Sequence, residues 1–151
     1  MASGNEIARD PAPREVCTIP VVLYRKSDGT IDALSDRCAH RGFPLSAGTV
    51  LDNAITCGYH GFTYDGTGVC IHIPAQERIP KGVAVRPFPL VEKDSWIWIW
   101  MGDAEKADES KLPDTHWMSD PSCTPPRWVR TTSSNMASQW KQMVMWSRLI
   151  G

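Results

Sequence analysis

Cys38-Ala39-His40 is followed by sixteen residues and then by Cys57-Gly58-Tyr59-His60, and this pattern, C-x-H-x16-C-x2-H, constrains the chain more than any other feature. The four histidines are His40, His60, His72 and His116, and the first two stand beside cysteines. Both Cys–His groups run on into glycine, as "HRG" and "HGF". Glycine lets a loop backbone turn tightly and approach a bound group closely. Thiolate and imidazole together are a donor set for a transition metal.

The sequence around these groups reads as short strands and turns. "IPVVLYR" (Ile19 to Arg25) is rich in β-branched residues, and "KSDGT" after it carries Asp28-Gly29, a strong hairpin signal. "IDALSD" (Ile31 to Asp36) supplies the returning strand, and "NAITC" (Asn53 to Cys57) another. "GFTYDGTGVCIHI" predicts a hairpin turning at Asp65 to Gly68. In "SWIWIWMG", alternation puts Trp96, Trp98 and Trp100 on one face and Ile97 and Ile99 on the other, so a central strand buried on both faces is expected, as core rather than as a cofactor box. "LVEKD" is its expected partner, turning at Lys93-Asp94. The expected fold class is all-β: an antiparallel domain over residues 1–103. Residues 104–151 are charged, then rich in Pro and Ser, and read as a linker. A short helix is expected near the end, where Met136, Trp140, Met143 and Ser147 form a weak stripe. There is no internal repeat.

The donors admit two readings. Closed zinc sites usually pair ligands as C-x2-4-C and H-x3-5-H, and C-x-H is tight for a loop wrapping one ion. A two-metal centre removes the difficulty. Cys38 and Cys57 then hold one iron, and His40 and His60 the other, which is the ligation of a Rieske [2Fe–2S] cluster. Zinc is the alternative for the same four residues. The other cysteines, Cys17, Cys70 and Cys123, are expected as small core residues, and the odd count of five argues against a disulfide framework. His72, between Ile71 and Ile73, is expected as an exposed strand residue.

Composition narrows the function classes. A net charge of −1 over 151 residues offers no basic field for nucleic acid. No apolar run is long enough to span a membrane, and the start has no charged-then-apolar leader pattern, so a cytoplasmic protein is expected.

"VVLYR", "DRCAHRGFPLSAG", "CGYHGFTYDGTG" and "IPKGVAVRPFPLVEKDSWIWIWMG" resemble the N-terminal Rieske domain of ring-hydroxylating and O-demethylating oxygenase components, most of all the vanillate demethylase and phthalate dioxygenase branch. The resemblance runs from about Asn5 to Asp103 and more weakly through "LPDTHWMSDPS". It implies an oxidoreductase family, a reductase or ferredoxin as electron donor, and an assembly that is a homo-oligomer or includes an oxygenase subunit. It also implies that Tyr64 hydrogen-bonds a ligating cysteine, with core packing as the plainer role. Arg41 is either a solvated charge, a salt-bridge partner that holds the loop, or a contact for an acidic donor, and Pro44 stiffens the loop.

Respiratory-chain Rieske proteins resemble C-T-H-x-G-C and C-P-C-H-G-S, with a disulfide between the loops. Here Phe43 and Tyr59 occupy the positions of those extra cysteines, and Phe62 that of a serine bonding a cluster sulfide. Fewer hydrogen bonds to sulfur predict a potential toward the low end of the roughly −150 to +300 mV Rieske range.

Family oxygenases also carry a mononuclear Fe(II) held by two His and a carboxylate, in a D/E-x2-H-x4-5-H pattern well downstream. The 31 residues from Pro121 to Gly151 contain no Asp, Glu or His. A triad from His72, His116 and Asp114 matches no known spacing. The expectation is an electron-carrying domain with its catalytic iron elsewhere, the sequence being cut short by a frameshift or incomplete gene. The alternatives are a stand-alone Rieske ferredoxin shuttle and a non-functional fragment.

Overall fold

The computed structural model describes residues 10–74, 76–94, 96–114 and 116, together with the backbone strand Met143–Ser147. The chain divides into two compact units, Ile7–Phe88 and Met1–Glu6 with Pro89–Gly151.

The first unit holds two antiparallel sheets. One is built from β1 (Ala12–Val16), β2 (Ile19–Arg25) and β3 (Ile31–Ser35), in the order β1-β2-β3. As the middle strand, β2 buries Val21, Val22, Leu23 and Tyr24 in succession, which is the pattern of a strand covered on both faces. The predicted Asp28-Gly29 turn is present: Lys26 N–H donates to Thr30 O at 2.8 Å, and Gly29 sits at φ 87°. Strand β1 is not evident in "APREV", whose Pro and two charged residues hide its pairing with β2. Cys17 differs from expectation as well. It is exposed, in a two-residue turn with Thr18 at left-handed φ values of 51° and 65°, because this turn, and not the core, is what joins β1 to β2.

The other sheet runs β4 (Thr49–Leu51), β5 (Ala54–Thr56), β6 (Thr63–Tyr64) and β7 (Cys70–His72), in that order. Thr63 pairs with His72 and Tyr64 with Cys70, so Ile71 is an extra residue on β7. This bulge explains why Ile71 and His72 are both exposed while Cys70 and Ile73 are buried. The segment 83–88 stitches the two sheets together. Cys70 N–H donates to Val83 O at 3.0 Å and Val85 N–H to Gly68 O at 2.8 Å, while Ser35 N–H donates to Arg86 O at 2.8 Å and Phe88 N–H to Ala33 O at 2.9 Å. Between the sheets lies one core containing Val22, Tyr24, Leu34, Ile55, Tyr64 and Leu45. Each such side chain contributes about 1.5–3 kcal/mol on burial. Cys38, Cys57 and Cys70 belong to the same cluster.

The second unit contains β8 (Leu90–Lys93), β9 (Trp96–Trp100) and β10 (Met143–Ser147), antiparallel in the order β10-β9-β8. The tryptophan strand is central and buried from Ile97 to Trp100, as its double-faced apolar sequence predicts. Lys93 pairs with Trp96, which moves the turn one residue on from the expected Lys93-Asp94. The expected C-terminal helix is corrected over Met143–Ser147, which pair with β9 along its other edge. The edge of β9 offers a full row of backbone partners, and this outweighs a helical stripe whose fourth member is a serine. Met136 and Trp140 lie outside the described residues, as does Cys123. Residues after Met101 form two short 3₁₀ turns, Ala104–Lys106 and Glu109–Lys111, capped by Asp103 and Asp108. Among the described residues no helix is long and apolar enough to cross a membrane.

Candidate metal centre

Two loops of the first unit carry the four donors, and the loops repeat one another. In Cys38-Ala39-His40-Arg41-Gly42-Phe43, Cys38 N–H donates to Phe43 O at 2.9 Å and Gly42 N–H to Cys38 O at 2.8 Å. In Cys57-Gly58-Tyr59-His60-Gly61-Phe62, Cys57 N–H donates to Phe62 O at 2.8 Å and Gly61 N–H to Cys57 O at 3.0 Å. Gly42 and Gly61 close these turns at φ 68° and 70°, a region costly for any residue with a Cβ. The repeat aligns the cysteines and offsets the histidines by one residue, as the C-x-H and C-x2-H spacings require.

Folding the loops together produces two donor pairs of opposite character. Cys38 and Cys57 are each 3% exposed and belong to one buried cluster. His40 and His60 are exposed, with ring centroids 4.6 Å apart at 66°. Burial pushes the Cys57 thiol pKa up, and the backbone N–H groups of Tyr59 and His60 pull it back. The His40 imidazole is held below the ordinary histidine range by loss of hydration, and then by the nearby His60 and Arg41. A neutral imidazole keeps the lone pair that a metal requires.

The third buried group is Tyr64, on β6. Its hydroxyl oxygen accepts from Ala39 N–H at 3.1 Å, which leaves its proton free to donate to Cys38 Sγ at 3.2 Å. Burial first, and then the Cys38 sulfur, raise the Tyr64 pKa well above the usual phenol range, so the hydroxyl keeps that proton.

Aromatic contacts cross between the loops. Phe43 of the first loop meets Tyr59 of the second, with centroids 5.4 Å apart. Phe62 of the second loop stacks on His40 of the first, at 4.7 Å and 11°. Phe43 and Tyr59 thus bridge the loops at the two positions where the respiratory proteins have cysteines. The stack on His40 is not foreseeable from sequence, where Phe62 reads only as a lost serine. Arg41 and Pro44 are exposed at this tip. His72 is exposed on β7, and His116 bonds Asp114 through Nδ1 at 2.6 Å.

The donor set fits a two-metal cluster. Two thiols sit inside and two imidazoles outside, which is the division that a cluster with unlike irons needs.

A buried thiol pair and an outer imidazole pair on a strand-built domain are the donor arrangement of an iron–sulfur centre with unlike irons. The family model for the Rieske [2Fe-2S] domain matches residues 2–89, and the chain belongs to that family. The oxygenase component of dicamba O-demethylase from Stenotrophomonas maltophilia is 42% identical over 121 residues, covering 80% of this chain and 36% of that protein. The vanillate O-demethylase oxygenase subunit of Pseudomonas sp. (strain ATCC 19151) is 40% identical over 106 residues, 70% of this chain and 32% of its own length. A crystal structure of dicamba monooxygenase bound to dicamba superposes with a TM-score of 0.75 at 41% identity, covering 80% of this chain and 36% of that one. The chain therefore spans about a third of the length of the relatives it matches.

Proposed function

We propose that Cys38 and Cys57 bind one iron of a [2Fe–2S] cluster and His40 and His60 the other, and that the domain carries one electron for an aromatic ring-hydroxylating or O-demethylating oxygenase. The observation that carries this reading is the pairing of buried thiols and exposed imidazoles on two loops of matching hydrogen-bond geometry. When bound, such a cluster supplies a one-electron couple. The chain's own residues set its surroundings. The thiols bind as thiolates, and the Tyr64 hydroxyl donates to the Cys38 sulfur. The imidazoles face solvent at the tip, where a partner can approach within electron-transfer range.

In this proposal an NAD(P)H-dependent reductase or a ferredoxin delivers the electron, and it leaves for a mononuclear Fe(II) whose ligands are not among these 151 residues. The cluster domain corresponds to residues 1–103, and 104–151 to a linker and the start of a catalytic region. The relatives' status as oxygenase components supports this reading over a stand-alone shuttle.

Anaerobic purification with iron and sulfide counting and EPR of the dithionite-reduced protein tests the assignment. Two irons and two sulfides per chain with a Rieske signal are expected. A single zinc, or one iron without sulfide, refutes it. A third iron per chain, outside the cluster, places the catalytic site within this chain and overturns that part of the proposal.

A further inference from the structure

A buried carboxylate two residues before Cys38 is not a ligand. Asp36 is the one residue of the polar or charged class that is buried among the described residues, at 7% exposure. Both of its carboxylate oxygens go to a single partner. Oδ1 accepts from Ser46 N–H at 2.7 Å and Oδ2 from Ser46 Oγ–H at 2.6 Å. Its own N–H donates to Pro20 O at 2.9 Å, which fixes it to β2. Two charge-assisted bonds from one residue to one residue hold orientation as well as distance. The nine residues they enclose, Arg37 to Leu45, include Cys38 and His40.

The clamp reaches the second loop through backbone. Ser46 lies in the 3₁₀ turn Leu45–Ala47, and the end of that turn, with Gly48 after it, is pressed against the second cysteine loop. A Cβ placed on Gly48 would be driven into the Thr56 carbonyl oxygen, and one on Gly58 would come within 2.6 Å of the Ala47 carbonyl oxygen. The second loop's own base is closed by a neutral pair, Thr56 Oγ1 and Thr63 Oγ1, at 3.0 Å. A continuous path of hydrogen bonds and backbone contact thus runs from Asp36 through Ser46 and Gly48 to Thr56, next to Cys57.

We propose that Asp36 is a positioning residue for the metal centre: by clamping Ser46 it sets the register of the Cys38–His40 loop against the Cys57–His60 loop. This rests on the cluster reading above. A role confined to stability would lower the unfolding midpoint and leave the bound cluster as it was. A positioning role changes the ligand geometry and hence the cluster's spectrum.

The test uses the full chain with Asp36→Ala, Asp36→Asn, Ser46→Ala and Leu23→Ala. Leu23 is fully buried on β2 but outside the core cluster that contains the cysteines, so its truncation destabilises from the other face. Readouts are the urea midpoint, iron and sulfide content, iron release to a chelator, the g values of the reduced protein and the midpoint potential. Asp36→Ala removes both bonds to Ser46 and is expected to shift the g values and to release iron at least about tenfold faster, the rate factor of about 1.4 kcal/mol. Asp36→Asn keeps both contacts, since its amide donates to Ser46 Oγ, and is expected to keep the wild-type spectrum. Leu23→Ala is expected to lower the midpoint with g values unchanged. The proposal is overturned if Asp36→Ala leaves g values and potential at wild type, if Leu23→Ala moves them equally, or if Asp36→Asn is as perturbed as Asp36→Ala. Should Asp36→Ala fail to fold, Ser46→Ala decides, because it removes only the hydroxyl bond; an unshifted spectrum there overturns the proposal. Wild-type protein that lacks the cluster refutes the cluster reading, and this inference with it, before any variant is compared.

Discussion

Tyr64→Phe separates the electronic role of one hydroxyl from its packing. The ring is fully buried, and phenylalanine fills the same volume, so the core loses no contacts beyond a single oxygen. Two hydrogen bonds disappear, the one from Ala39 N–H at 3.1 Å and the one to Cys38 Sγ at 3.2 Å. The first leaves a partly buried amide without its partner, at a cost of about 1–2 kcal/mol in unfolding free energy. The second bears on the redox couple. A donor facing a ligand sulfur stabilises the reduced state more, because reduction adds negative charge to the cluster and its sulfurs. If that bond is worth about 1 kcal/mol more after reduction, its loss lowers the midpoint potential by about 40 mV, since about 1.4 kcal/mol corresponds to 59 mV for one electron. Spectroelectrochemical titration of wild type and variant in the same buffer measures the difference, and urea unfolding measures stability separately. A potential within about 10 mV of wild type, or one that rises, refutes the argument that the Tyr64 proton is directed at Cys38 sulfur.

Cys57→Ser is expected to abolish the Rieske EPR signal and bring bound iron well below the wild-type value, by iron assay on anaerobically purified protein, while Cys70→Ser retains the cluster. The wild-type potential is expected in the lower part of the Rieske range, and a value above about +200 mV contradicts the effect assigned to Phe62 in place of a sulfide-bonding serine. Gly48→Ala is expected to destabilise the fold by about 1–3 kcal/mol through collision with the Thr56 carbonyl, read as a fall in urea midpoint at constant m; an unchanged midpoint counts against the close packing of the loop bases.

Sequence patterning reveals the site more readily than its supports. The four donors are visible because Cys and His at that spacing have few other uses, and the hairpins at Asp28-Gly29 and Asp65 to Gly68 follow from residue types that suit those turns. The double-faced burial of β9 is equally legible in its alternating Trp and Ile. Asp36 and Ser46 are not. An acid and a serine ten positions apart form no motif, and only the folded 3₁₀ turn brings them together. The only hint is an acid just after a buried strand and before a ligand loop. Strand β10 is hidden because its partner lies more than forty residues away, so pairing decides its conformation and local propensity does not. Cys17 departs from expectation for a related reason: burial statistics describe cysteines on average, whereas a two-residue turn between β1 and β2 is a demand of the connection.

The contact of Phe43 with Tyr59 bears on how many electron acceptors the tip contains. A disulfide at those positions would be a second redox couple beside the metal centre, one that thiols in a reducing compartment could open. Two rings 5.4 Å apart hold the loops together without any such chemistry. In the proposed function, an electron arriving at this end of the domain meets two rings at these positions in place of a disulfide, and this contact between the loops does not depend on the thiol poise around it.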